Sequence, residues 1–592
     1  MLKQDQQLKR ERTSSLINWG HWFAFFNGLL AFVIGFRYLA DSGSPEGILG
    51  WGYFLISSFG HFAFLAFLVY VLFLFPVTLL LPFAGFLRGY AALVATIALS
   101  VLLFDVQVFK AYGIHLSPFA FDLAYADLNQ VISRTNAALT LAFIITIELV
   151  AANWIWRRIN KIQKKNFGNK AIAAVAVCFF GSHLIHIWAD ISQETRITRQ
   201  DVLLPLSYPA TARSFMAEHG FEQDNTQITD ASISQLNYPL EPLQCRGMAK
   251  QPNLLMVVVD GWRADMVNAD TMPFFSDYAQ QNRSFNQHFA GGGRSDTGLF
   301  SLMFGLQGSY LDAVVADDTV PVLNQVFGDL GYQLNLFSAN PYDIGSRWFE
   351  GFEVHPLSPS INQADNDKQL IKRYQDWQAP ADAPWLNMVR LSGPASYDTP
   401  EGFVGIATTA ASAELNVAER ILFNQYRQAL RALDKRLEEL LSQQAQDTHV
   451  IVTGINGLVF SSDATINRRD LSPASVHVPL VVSWPNSQPD AIDYATSHHG
   501  IVPTLLSRAA LCDNPASDYS SGSDLLQRQK NAWVYAGHQR NFAIYQPNRI
   551  TLINRHGNYR IFDTQFQRQR GARLHPKPLM EVMNEGQRFY DR

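Results

Sequence analysis

Five stretches of about 20 apolar residues each, all within the first 190 positions, constrain this chain more than any other feature. They cover residues 17–40, 52–75 (with an apolar extension to 81), 90–109, 137–156 and 171–190. In lipid every backbone N–H and C=O must be satisfied within its own segment, so such stretches read as membrane-crossing helices. The first is too long for a signal-peptide core and lacks a small-x-small cleavage site, which makes it an uncleaved anchor. Trp19, Trp22, Trp51, Trp154, Trp156 and Trp188 sit towards the ends of the spans, where amphipathic rings favour the interface.

Charge gives the spans a direction. The N-terminal tail carries Lys3, Lys9, Arg10 and Arg12, and the loop 157–170 holds six Lys or Arg and no acid. The loop 41–47 has neither Lys nor Arg. The positive-inside rule then predicts a cytoplasmic N-terminus and, after five crossings, a C-terminal portion on the other side. Residues 1–190 carry 14 Lys and Arg against 9 Asp and Glu, whereas residues 191–592 carry 33 against 42. An acidic balance of that size excludes a nucleic-acid partner for the larger portion, since such a partner needs a basic footprint. The aromatic content of 12% excludes a disordered chain. Five ionisable residues, His61, Asp105, Glu148, His183 and His186, fall at membrane depth. Such groups are functional candidates by default, although bonds between neighbouring helices account for them more simply. The basic loop is most simply a topology determinant, with anionic phospholipid or a cytosolic protein as further partners it could meet.

Beyond residue 190 the pattern changes. Residues 191–250 are polar and proline-bearing, as expected of a linker. A continuous apolar run, Leu254-Leu-Met-Val-Val-Val, ends in Asp260 and reads as a buried parallel strand, with a ligand site expected beyond its carboxyl end. Further strands are predicted at 332–337, 385–391, 449–453 and 478–484, and helices at 413–443 and 502–511. The alternation implies an α/β domain over 251–530, with a mostly parallel sheet covered on both faces. The segments 542–545, 549–553 and 559–562 suggest a small antiparallel subdomain over 531–592. Of three cysteines, Cys178 lies in a span; Cys245 and Cys512 form a pair that an oxidising compartment would permit but that three cysteines alone do not establish.

The run Asn253–Asp260 with Arg263, then Val476-His-Val-Pro-Leu-Val-Val-Ser-Trp-Pro485, Ser497-His-His-Gly-Ile-Val-Pro-Thr504 and Gly522-Ser-Asp-Leu-Leu526, resemble the sulfatase and alkaline-phosphatase superfamily in order and spacing. The resemblance implies a metal held by an acid after the first strand, a Ser, Thr or Cys nucleophile, and an Asp-His pair after a later strand. A divalent cation lowers the pKa of the nucleophile and neutralises an anionic substrate, so its ligands must be anionic or imidazole. Asp260 fills the first position. In the loop 291–298, Arg294 stands where the family's Thr falls, with Ser295 beside it and Thr297 near. The guanidinium of Arg294 is expected near the cation position. Ile455 stands where the Asp belongs and Asn456 where the His belongs. The site therefore reads as degenerate: Asp260 and Ser295 are vestigial catalytic candidates, and Asp260 is a weak metal ligand. No cofactor is expected, but a divalent cation at a relocated site, helped by His498 or His499, stays open.

The strings Trp19-Gly-His-Trp-Phe-Ala-Phe-Phe-Asn27, Ile34-Gly-Phe-Arg-Tyr-Leu39, Leu204-Pro-Leu-Ser-Tyr-Pro-Ala-Thr-Ala-Arg213 and Pro515-Ala-Ser-Asp-Tyr-Ser-Ser-Gly522 resemble the YejM (PbgA) family of Gram-negative inner-membrane proteins. This resemblance spans nearly the whole chain. It implies a protein that senses lipopolysaccharide on the periplasmic side and adjusts its synthesis. The route would be LapB, met through the spans, which presents the deacetylase LpxC to the protease FtsH. The lipid A contact it implies is the segment 209–215, with Thr211, Arg213 and Phe215; Ser214 stands where relatives can carry a second Arg. An Arg just above a membrane can meet a lipid phosphate through forked, charge-assisted hydrogen bonds, with Leu206, Phe215 or Phe221 resting on acyl chains. Two other functions stay open: a metal-dependent lipid phosphatase or headgroup transferase using Asp260 and Ser295, and carriage of cardiolipin or another glycerophospholipid.

Overall fold

Apolar patterning divides the chain into two compact units, Met1–Ser234 and Gln235–Arg592. They were described from a computed structural model; the longer stretches outside the described residues are 40–44, 125–133, 208–235, 340–346, 410–414 and 462–470. The expected lipid-contact residues Thr211, Arg213 and Phe215, with Phe221, lie outside the described residues.

Among its described residues the N-terminal unit has five helices long and apolar enough to cross a membrane, Thr13–Tyr38, Gly47–Leu80, Ala84–Ala111, Ala138–Ile162 and Phe167–Ala189. These are the five expected spans, with their ends shifted by one to six residues. Small residues let the backbones approach. A Cβ on Gly60 would lie 2.6 Å from the backbone nitrogen of Phe179, and one on Gly28 would lie 2.9 Å from the Cα of Ala63. Most of the ionisable groups at membrane depth prove to be cross-links. Asn27 Nδ2 donates to Glu148 Oε2 at 3.2 Å, joining the first and fourth spans. Asp105 accepts from Tyr38 Oη at 2.5 Å and pairs with His115 Nδ1 at 2.7 Å. His61 Nε2 meets the carbonyl of Pro205 at 2.8 Å, and Leu203 and Leu204 are buried against the spans. Residues 203–205 are thus anchored in the helical bundle, whereas Leu206 is 67% exposed.

The C-terminal unit is built on an eight-stranded sheet. The strands are β1 (Leu254–Val259), β2 (Arg283–Phe285), β4 (Gln333–Ser338), β5 (Phe352–His355), β6 (Trp385–Leu391), β7 (His449–Gly454), β8 (Leu480–Ser483) and β9 (Asp490–Ile492); β3 (His288–Phe289) and β10 (Thr496–Ser497) pair separately. The order is β5-β4-β6-β1-β7-β8-β2-β9, with β5, β4, β6, β1 and β7 mutually parallel and β8 antiparallel to both neighbours. Continuous apolarity in β1 has a direct cause. Leu254, Met256 and Val258 enter one hydrophobic core and Leu255, Val257 and Val259 the other, so neither face sees water. Each such side chain contributes roughly 1.5–3 kcal/mol on burial. Helices Ser295–Phe304, Val322–Asp329 and Ile501–Arg508 cover the first face; Pro273–Gln280, Gln363–Asp376 and Val417–Leu441 cover the second. The mostly parallel sheet covered on both faces is as expected from the sequence.

The C-terminal antiparallel sheet has four strands where the sequence suggested three. Val534–His538 (β11) precedes Asn541–Gln546 (β12), Arg549–Asn554 (β13) and Tyr559–Phe562 (β14) in a meander. The chain then turns back through helix Pro576–Glu585 and buries Phe589 in the core of the large sheet. Cys245 and Cys512 form a disulfide, resolving the question the sequence left open.

Candidate functional site

Because β1 lies between β6 and β7, the carboxyl ends of these three parallel strands form one edge at the centre of the sheet. Asp260 follows β1 there, Arg390 lies near the end of β6, and Ile455 and Asn456 follow β7.

Asp260 is 3% exposed and Arg390 8%. Arg390 Nε donates to Asp260 Oδ2 at 2.9 Å, so a buried guanidinium occupies one oxygen of the carboxylate. The other oxygen, Oδ1, is buried without a partner among the described residues. Ile455 continues the pairing of β7, its N–H donating to the carbonyl of Val259 at 2.7 Å, while its side chain packs into the hydrophobic core. Helix Ser295–Phe304 rests on this point: a Cβ on Gly298 would lie 2.2 Å from the carbonyl oxygen of Ile455. Asn456 uses its amide in both senses. Its Oδ1 accepts from Gly261 N–H at 3.1 Å, and its Nδ2 donates to the carbonyls of Gly293 at 3.2 Å and Gly457 at 3.3 Å. It staples the loops after β1 and β7 to the glycine loop before the helix.

Ser295 is the first residue of its helix and shares no hydrogen bond with Asp260 among the described residues. Arg294 does not supply the charge at Asp260. It pairs instead with Asp296 two residues on, Nη2 to Oδ2 at 2.5 Å, on the protein surface. A local carboxylate captures it, and Arg390 supplies the charge at Asp260. The histidines are also committed elsewhere. The ring nitrogens of His498 lie 3.1 Å from the carbonyl of Gly298 and 3.0 Å from that of Gly454, and burial pushes its pKa down to about 4. His499 Nδ1 lies 2.9 Å from Ser497 Oγ; burial, then the neighbouring His498, push its pKa down to about 3.

A divalent cation does not fit this arrangement. One oxygen of Asp260 is held by a fixed cation, the Asp position is an aliphatic side chain in the core, and the His position is an amide committed to three backbone groups. Among the described residues no group of three His, Cys, Asp or Glu is disposed to hold a metal.

One further carboxyl stands close by. Asp367 accepts from the backbone N–H groups of Ser392 at 2.9 Å and Gly393 at 2.8 Å. Burial pushes its pKa up to about 7, against those two bonds, with the charges of Asp260 and Asp398 adding to the rise. A carboxyl raised above its unfolded value holds its proton longer in the folded state, so its contribution to stability is lost as pH rises from about 4 through about 7. Asp367→Asn should therefore flatten the fall in Tm across that interval, measured by calorimetry on the full chain.

Comparison with known proteins agrees with this architecture. Residues 6–245 match a domain of unknown function (DUF3413), and residues 252–511 match the Sulfatase family. The chain is 31% identical over 598 residues to inner membrane protein YejM of Salmonella typhi, covering 99% of each chain. It belongs to the YejM family. An uncharacterized protein of Haemophilus influenzae is 29% identical over 581 residues, covering 95% of this chain and 94% of the relative. Among solved structures, an alkaline phosphatase superfamily protein from Vibrio parahaemolyticus aligns with 63% of this chain and 98% of its own, at 15% identity and a TM-score of 0.48. This YejM-family chain is accordingly an inner-membrane protein with a sulfatase-like unit. Arg390 is the residue that sequence reasoning missed at the site; its only sequence signal was one cation inside a strand that is otherwise almost wholly apolar.

Proposed function

We propose that this protein is a lipid-responsive regulator whose sulfatase-like unit no longer turns over substrate. It would sense lipopolysaccharide through lipid A at Thr211, Arg213 and Phe215 on the periplasmic side. The signal would pass to LapB through the spans, setting how much LpxC reaches FtsH. The observation that carries the loss of catalysis is the Arg390 guanidinium on Asp260, where a cation-dependent hydrolase needs its metal. The family membership supports the rest, together with the basic tail and the basic loop 157–170, which favour a cytoplasmic N-terminus. The Cys245–Cys512 disulfide suits a periplasmic C-terminal unit.

The test is complementation of cells depleted of the protein, at matched expression, reading the ratio of lipopolysaccharide to phospholipid. A triple variant, Asp260→Asn, Arg390→Leu and Ser295→Ala, removes the vestigial site as a unit and should restore the ratio. Arg213→Ala should fail to restore it. Failure of the triple variant, folded and inserted, would sink the regulator reading in favour of a metal-dependent lipid phosphatase or headgroup transferase. That second reading draws on the unpartnered Oδ1 of Asp260. It requires a divalent metal to remain on the purified full chain.

A further inference from the structure

Glu148 lies near the middle of the fourth span and Asn27 near the middle of the first. Glu148 is 0% exposed and Asn27 8%. The spans are apolar around them: Phe23, Ala24, Ala151 and Ala152 are buried in one cluster, and buried Ile144 lies one turn before Glu148. Among the described residues Glu148 meets no charged group, and Asn27 is its one side-chain hydrogen-bond partner. The ionisable groups of the neighbouring spans are engaged elsewhere. His21 faces the rings of Phe67 and Tyr70, Arg88 donates to Asn153 at 2.7 Å, and Asp105 pairs with His115. His183 lies against Phe179 and His186 against Tyr53.

Donors and acceptors do not balance at this pair. The amide of Asn27 has two N–H donors and both are spent, one on the carbonyl of Phe23 at 3.1 Å and one on Glu148 Oε2 at 3.2 Å. An ionised carboxylate offers acceptors only. Two oxygens are left over, Asn27 Oδ1 and Glu148 Oε1, each buried without a partner among the described residues. Neither has surface that water could reach, and lipid supplies no donor. A single added donor is enough if these two atoms share it. A carboxylic acid and a primary amide form such a ring: the amide N–H donates to one carboxyl oxygen, and the acid O–H on the other oxygen donates to the amide carbonyl. The bond from Asn27 Nδ2 to Glu148 Oε2 is the first half of that ring, and the two oxygens left over are those of the second half. Charge favours the same form. A carboxylate at mid-span with no cation beside it is costly, whereas the acid is neutral.

We propose that Glu148 is a proton-binding site within the bundle: the proton sits between Glu148 Oε1 and Asn27 Oδ1 and closes an acid–amide ring that clasps the first and fourth spans. Loss of the proton removes the second bond and leaves the amide oxygen facing a negative charge. The clasp is complete only in the acid form, so the contact between these spans is tied to proton occupancy at mid-span. The assignment does not depend on the regulatory reading above.

The test is infrared difference spectroscopy on the full chain carrying isotope-labelled glutamate, at neutral pH in maltoside micelles, which add no ester carbonyl. The wild type should show the C=O stretch of a labelled carboxylic acid, and Glu148→Gln should abolish it. In Asn27→Leu the band should move to higher frequency, because Oε2 no longer accepts a hydrogen bond. Detergent-driven unfolding in the same micelles then separates a neutral acid from a charge. Gln keeps both halves of the ring, its amide N–H donating to Asn27 Oδ1, so Glu148→Gln should leave the unfolding equilibrium within about twofold of wild type. Glu148→Leu removes both bonds and should shift it by about eightfold, roughly threefold for each bond. Spectroscopy on the Gln variant carries the test if the Leu variant does not insert. Absence of a labelled acid band, a band indifferent to Glu148→Gln or unmoved by Asn27→Leu, or a Gln variant as destabilised as the Leu variant would each overturn the assignment.

Discussion

Replacing Arg390 by leucine should destabilise the C-terminal unit by about 3–5 kcal/mol, the usual cost of removing one partner from a buried ion pair. Both groups lie almost wholly out of water, and Asp260 has no other side-chain hydrogen bond among the described residues. Without the guanidinium, the buried carboxylate loses the cation that bonds its Oδ2. Asp260→Asn alone should also destabilise the unit, by removing the carboxylate from this buried pair. The double variant, Asp260→Asn with Arg390→Leu, should recover most of the loss, because neither charge is then buried alone. Calorimetry on the full chain reads this as a coupling energy, the double change being far smaller than the sum of the singles. Additive singles would show that the pair is not the element holding this edge of the sheet. The same experiment bears on metal chemistry. If Arg390 stands in for a cation, millimolar divalent metal should leave the Tm of the wild type unchanged, since only a ligand that binds the folded state raises it.

The sequence carried the central strand of the parallel core because burial on two faces leaves an unbroken apolar run, as in β1. It carried the spans for the same reason, lipid demanding apolarity around the whole helix. The loss of the Asp-His pair was also legible, since Ile455 and Asn456 lie beside the strand that locates them. Arg390 was not, because its partner is 130 residues away and the two meet only through the pairing of β1 with β6. Arg294 misled for the opposite reason: position in a motif suggested a role, but Asp296 two residues on offered a nearer carboxylate. Strands β2 and β9, three residues each, are too short for any periodicity to announce them. The strand Val534–His538 is broken in pattern by Gly537, which adopts a φ of +126°.

The disulfide between Cys245 and Cys512 should matter on a similar scale. It joins positions 267 residues apart, and closing so long a loop in the unfolded chain removes entropy equivalent to about 5–6 kcal/mol. For a unit of this size that corresponds to a fall in Tm of about 7 °C on reduction. The bond is embedded in a small network. Asp513 N–H donates to the carbonyl of Gln244 at 2.9 Å, Gly247 N–H to that of Ala510 at 2.9 Å, and Arg246 pairs with Asp513 at 2.9 Å. The exposed ion pair adds little, so the covalent link is what holds residues 243–247 against the end of helix Ile501–Arg508. Cys245→Ala with Cys512→Ala should therefore lower Tm under non-reducing conditions to the value the wild type reaches in reductant. Hydrogen exchange should show residues 236–250 opening first, because they are packed at the margin of the unit. Thiol labelling in intact cells tests the compartment in the same proteins. In the periplasm both thiols should resist a maleimide until reductant is added; labelling without reductant would place the unit in a reducing compartment and reverse the proposed topology.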